Sequence, residues 1–170
     1  MLNAWRKRTE VKELAGRLCA ELIARSRQPV FFRALGIADT MDGRFDLLAL
    51  HAWLLLEKLN AAGRRDLAQA VTDQLFIGFD ESLREQGAGD MGMGRRMKKM
   101  ANAFYGRMKV YSEAGDESVL AAAIERNVYR GTGQLEGARL LAMYAKLARI
   151  HLSTADVTTG AVDFGPLPNE

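Results

Sequence analysis

The sequence predicts an all-α protein, a single-domain bundle of about six to seven helices followed by an extended C-terminal tail. Three observations carry that expectation. Apolar residues recur three and four positions apart through most of the chain. Only 3 prolines occur in 170 residues, and 48% hydrophobic against 26% charged is the balance of a globular, mostly helical protein and not of a disordered one. Glycine- and aspartate-containing breaks separate the periodic stretches, yet no internal repeat and no linker marks a second domain.

Val11, Leu14, Leu18 and Leu22 place residues 8–25 on one amphipathic helix, ended by Arg27-Gln28-Pro29. Residues 1–29 therefore read as an N-terminal basic amphipathic helix, 30–155 as the main helical domain and 156–170 as the tail. Leu2 and Trp5 fall off the apolar stripe, beside Arg6, Lys7 and Arg8. An aromatic next to a basic cluster is the sequence form of a membrane-surface anchor; a frayed terminus with a stray tryptophan is the plainer and preferred reading.

After Pro29, VFFRALGI reads as a short helix and turn, and the loop DTMDGRFD (39–46) leads into a helix over 45–61. That helix is apolar on most of its circumference, as expected of a central one. His51 within it reads as a satisfied core residue and not as a ligand or base. Gly63 closes it. The next helix, 65–85, has the core stripe Leu67, Val71, Leu75, Phe79 and Leu83, with Gly78 expected to let a neighbour approach closely. Its far side carries Asp66, Asp73 and Asp80, and Phe76 and Ile77 also lie off the stripe. Such a face is either a docking surface or one covered by another helix.

GAGD (87–90) supplies a turn, with Gly87 and Gly89 suited to positive φ and Asp90 to capping a helix. From Met93, the positions 93, 97, 100, 104, 108 and 111 are Met, Met, Met, Phe, Met and Tyr, one narrow apolar stripe. Arg95, Lys98, Lys99 and Lys109 lie opposite, and Arg96 and Arg107 flank the stripe. Methionine repacks at low cost, which suits binding of varied apolar segments, but filling the protein's own core is the favoured reading. Helices over 117–129 and 134–153 follow, the last apolar on two sides and so sandwiched in the bundle or against a partner.

The net charge of +3 is unevenly spread. Residues 1–33 and 83–111 each carry a local balance of +5, so the remainder is −7. Two basic islands in an otherwise acidic chain favour anionic partners such as phospholipid or RNA, with a solvated face as the bland alternative. The single cysteine, Cys19, excludes an intramolecular disulfide and points to a reducing compartment. The longest apolar run, Leu47 to Leu56, falls short of the roughly 20 residues that span a bilayer. No helix-borne His/Glu metal pair, nucleophile elbow or Walker-type loop is present, so neither catalysis nor a cofactor, metal or small-molecule substrate is expected.

Two stretches carry a resemblance: MDGRFDLLALHAWLLLEKL (41–59) and LAQAVTDQLFIGFDESLREQGAGDMGMGRRMKKMANAFYGR (67–107). Over about residues 30–153 the chain resembles the ubiquinol–cytochrome c chaperone family, assembly factors of the cytochrome bc complex, respiratory complex III. The resemblance implies an all-helical, non-enzymatic assembly chaperone. Its partner would be newly made cytochrome b or another bc-complex assembly protein, and mitochondrial members also work close to the ribosome. The family block falls on Ser82, Leu83, Arg84, Glu85, Gly87, Gly89, Asp90, Gly92, Gly94, Arg96, Lys98, Lys99, Phe104, Tyr105 and Arg107. The residues themselves add Arg95 with Lys98 and Lys99 toward an acidic, RNA or lipid surface, and Phe76 and Ile77 as an apolar contact. Glu10, Glu13 and Glu21 speak against a transit peptide, so a bacterial cytoplasmic location is expected, with peripheral contact at the inner face of the membrane. The competing reading is a ribosome- or nucleic-acid-binding module using the basic helix 93–111.

Overall fold

The computed structural model describes residues 2–85, 87 and 90–168. Seven helices follow in chain order: α1 (Leu2–Ser26), α2 (Pro29–Arg33), α3 (Met41–Ala61), α4 (Arg65–Glu85), α5 (Asp90–Ser112), α6 (Glu117–Asn127) and α7 (Leu135–Thr154). No strand occurs among the described residues. The all-α expectation holds.

Local chemistry sets the boundaries. Thr40 caps α3 by accepting a hydrogen bond from the Gly43 amide at 3.2 Å, and Asp116 caps α6 through the Val119 amide at 2.9 Å. Pro29 starts α2, where its missing N–H costs nothing. Gly63, at φ 70°, ends α3 while the Arg64 amide reaches back to the Leu59 carbonyl, the usual glycine-assisted helix stop. Gly43 has a separate role. A Cβ there would lie 2.0 Å from the Ala38 carbonyl oxygen, so only glycine lets the incoming chain cross the start of α3.

The near-continuous apolar surface of α3 has a direct consequence: it separates two cores. Leu47, Leu50, Trp53 and Leu54 face α2, α6 and α7, while Ala49, Ala52, Leu55 and Leu59 face α1, α4 and Phe104 of α5. Leu14, Ala15, Leu18 and Leu22 seat α1 in the second core. His51, fully buried, joins three helices. Its Nε2 lies 2.8 Å from the Tyr144 hydroxyl on α7, which in turn accepts from Arg25 Nε on α1 at 2.9 Å. Since Tyr144 donates its only proton to Nε2, the His51 Nδ1–H donates to the Leu47 carbonyl at 2.8 Å. Burial lowers the imidazole pKa to about 4, so the ring is neutral.

Three sequence expectations change. The α1 helix begins at Leu2, so Trp5, Arg6, Lys7 and Arg8 stand exposed on its first turns and not on a frayed end. The tail has no helix but is docked: Phe164 is buried against His51, and Arg25 Nη2 donates to the carbonyls of Gly165 and Pro166 at 2.6 and 2.9 Å. Burying one such phenylalanine contributes about 1.5–3 kcal/mol, which overrides the loop-like composition. Finally, the second apolar side of α7 divides: Tyr144 is buried and Leu140 partly so, while Met143, Leu147 and Ile150 are exposed and not sandwiched within the bundle.

Candidate functional site

The basic helix α5 resolves into two faces, as its spacing requires. Met93, Phe104 and Tyr111 are buried, and Met97, Met100 and Met108 pack half-buried against the cores. The methionine stripe thus packs against this protein's own cores, with Met100 half-buried at their edge. Arg95, Arg96, Lys98 and Lys99 are exposed and make no ion pair among the described residues.

Arg107 does something different. It is only 8% exposed, and its Nη2 lies 2.5 Å from Oδ1 of Asp46, a fully buried carboxylate on α3. Arg130 Nη2 approaches the other oxygen, Oδ2, at 2.8 Å, and reaches Asp42 at 3.5 Å. Arg107 also rests over the Phe45 ring at 5.2 Å and donates to the Ala103 carbonyl. Burial outweighs both guanidiniums at Asp46 and pushes its carboxyl up to about 6. Arg130 holds a left-handed backbone, φ 58°, which costs a non-glycine residue about 1–2 kcal/mol. Its two carboxylate contacts offset that strain. The charge of Arg107 is thereby committed inside the fold, which corrects its reading as a flank of the partner-facing surface.

Above this cluster lies a groove of about 690 Å³ between α1, α3, α4 and α5. Its floor is apolar, with Ile23, Phe45, Leu48, Leu75, Phe79 and Met100. Arg27, Arg44, Arg96, Lys99 and Arg130 stand around it against the single acid Asp42. Arg44 is matched by Asp39 at 2.6 Å, whereas Arg27, Arg96 and Lys99 have no acidic partner among the described residues. Gly16 and Gly78 also line it, and a Cβ on either would meet nothing within 4 Å. Gly78 therefore admits no close neighbour, contrary to expectation. Each leaves space open at a helix position where glycine costs about 1 kcal/mol relative to alanine.

The outer side of α4 and α5 forms a second feature. Phe76 and Tyr105 stack across the two helices with ring centroids 5.9 Å apart and planes 19° apart. Tyr105 and Ile77 remain 55% and 53% exposed, while Phe76 is half-buried against Phe79 and Phe104. Lys98 lies two turns before Tyr105 on the same side of α5. Arg84, at the end of α4, pairs with Asp80 at 2.7 Å. Gly87 adopts φ 77°, as its turn requires. Gly89 and the side chain of Asp90 lie outside the described residues. Gly92 and Gly94 have open space where a Cβ would stand, so packing does not demand glycine there.

Sequence reasoning therefore reached Phe76, Tyr105, Arg96 and Lys99 but missed Asp46, Arg130 and the groove. One signal was present: a carboxylate one turn inside an apolar helix needs a cationic partner from elsewhere in the chain. Nothing near these residues resembles a catalytic constellation. Burial pushes the Cys19 thiol up to about 11, which leaves it inert. No helix of the described residues is long and apolar enough to cross a membrane.

Comparison with known proteins gives three findings. Residues 33–160 match the family described as Ubiquinol-cytochrome C chaperone. The chain is 23% identical over 162 residues to ubiquinol-cytochrome-c reductase complex assembly factor 1 of Xenopus laevis, covering 93% of this chain and 78% of that protein. It is also similar to the crystal structure of the Cbp3 homolog from Brucella abortus, with TM-score 0.85 and 32% identity over 97% of this chain and 96% of that one.

Proposed function

This chain belongs to the ubiquinol–cytochrome c chaperone family, and from that premise we propose that it is a non-enzymatic assembly chaperone of the cytochrome bc complex, respiratory complex III, whose client is newly made cytochrome b. The client rests against the outer α4–α5 surface. The observation that carries this reading is the exposed pair Ile77 and Tyr105, set beside cations that lack acidic partners. An apolar contact ringed by uncompensated charge suits a hydrophobic membrane protein with anionic loops better than it suits solvent. The protein works at the inner face of the cytoplasmic membrane, and Trp5 with Arg6, Lys7 and Arg8 makes the peripheral contact. No comparison supports the ribosome- or nucleic-acid-binding alternative.

Deleting the gene should lower assembled bc complex while other respiratory complexes persist; normal bc levels would sink the proposal. In a tagged pull-down from membranes, cytochrome b should be lost from the Ile77→Glu/Tyr105→Glu and Arg95→Glu/Lys98→Glu/Lys99→Glu proteins. It should be retained by Met143→Glu/Leu147→Glu, which alters the exposed side of α7 instead. The reverse pattern would move the client to α7.

A further inference from the structure

The groove between α1, α3, α4 and α5 shares only Lys99 with the surface just described, and its chemistry points to a ligand of its own. From its dimensions and lining we infer that it binds one anionic phospholipid, with an acyl chain on the apolar floor and the phosphate among Arg27, Arg96 and Lys99. Four observations converge. A space of about 690 Å³ lies within the range of sites for small amphiphiles, apolar with a few placed polar groups. An α-helix about 10–12 Å across fills far more than this within three turns, whereas an extended hydrocarbon chain fits. Next, Arg27 from the turn after α1 and Arg96 and Lys99 from α5 are matched by no acid among the described residues, and so complement a phosphate. Third, Gly16 and Gly78 hold the space open where no neighbouring atom requires glycine.

The fourth observation selects a membrane lipid over a free fatty acid. Trp5 precedes Ile23 by eighteen residues, about five whole helical turns, so both project from the same side of α1. Trp5 is 68% exposed, with Arg6, Lys7 and Arg8 exposed beside it. With α1 lying along a membrane surface, Trp5 enters the headgroup layer while the groove wall formed by Ile23 faces the same bilayer. A lipid need only tilt one chain out of the leaflet to enter.

The test incubates the full chain with phosphatidylglycerol/phosphatidylcholine vesicles, reisolates the protein by size exclusion and measures bound lipid by mass spectrometry. Wild type should return with about one phosphatidylglycerol per chain, in excess over phosphatidylcholine. Gly16→Leu/Gly78→Leu, which places side chains into open space, should keep the wild-type circular dichroism and vesicle sedimentation yet lose bound lipid by about tenfold. Arg96→Glu/Lys99→Glu should lose the preference for phosphatidylglycerol. Absence of lipid from reisolated wild type, or lipid retained by the filled groove, would overturn the inference. So would oleate bound in place of phospholipid when both are offered. The experiment needs no bc complex, so its failure is separate from failure of the chaperone reading.

Discussion

Asp46 on α3 and Arg107 on α5 meet at 2.5 Å as a buried ion pair, and this contact ties the central helix to the basic one. Such a pair resists loss of one member far more than replacement of both, because the survivor is left charged and desolvated. Arg107→Met, which strands the Asp46 carboxylate, should cost about 3–5 kcal/mol in urea denaturation at pH 7.5, whereas Arg107→Met with Asp46→Asn should recover a substantial part. Strictly additive losses would show that the two residues are not coupled.

The same carboxylate and His51 drive stability with pH in opposite directions. His51 has a folded pKa of about 4, below its ordinary 6.5, so its contribution is complete above that value and is lost as pH falls toward 4. Asp46 has a folded pKa of about 6, above its ordinary 3.8, so its contribution is complete at low pH and is lost as pH rises through 6. Between these limits each slope approaches about 1.4 kcal/mol per pH unit, and the two largely cancel. Chemical denaturation from pH 4 to 7 should expose a falling slope in His51→Gln and a rising one in Asp46→Asn. Parallel profiles in the two variants would contradict this assignment.

Arg25 fastens the tail through the carbonyls of Gly165 and Pro166 while supporting Tyr144. Arg25→Met should therefore speed proteolysis of residues 157–168 several-fold, with a global loss of about 1–3 kcal/mol. Unchanged cleavage would mean that Phe164 alone retains the tail.

Two glycines separate a steric requirement from an open space. Gly43→Ala drives a methyl group into the Ala38 carbonyl and should destabilise by about 1–3 kcal/mol or more. Gly78→Ala meets nothing and should be neutral or stabilising by up to about 1 kcal/mol. Thermal melts of the two proteins decide both.

The Phe76–Tyr105 stack shows where local reading reached and where it stopped. Both residues fall off their helices' core stripes, which the spacing alone reveals, but that the two rings meet depends on how α4 crosses α5. Phe164 shows the opposite failure. Its surroundings in VTTGAVDFGPLP carry loop residues and no periodicity, yet the ring packs against His51, more than a hundred residues earlier in the chain.

What the sequence determined by itself is what depends on neighbours three and four residues away: an all-α bundle of about six to seven helices, the central place of α3, and the separation of methionines and cations onto two faces of α5. These follow because an α-helix converts short spacings into faces, and burial of the apolar face dominates its energy. The Asp46–Arg107–Arg130 cluster, the docked tail and the groove were decided only by tertiary structure. Asp46 and Arg130 are 84 positions apart, and a groove is the space that packed helices leave between them. Neither long-range pairing nor unfilled volume has a local period, so both become visible only once the helix crossings are fixed.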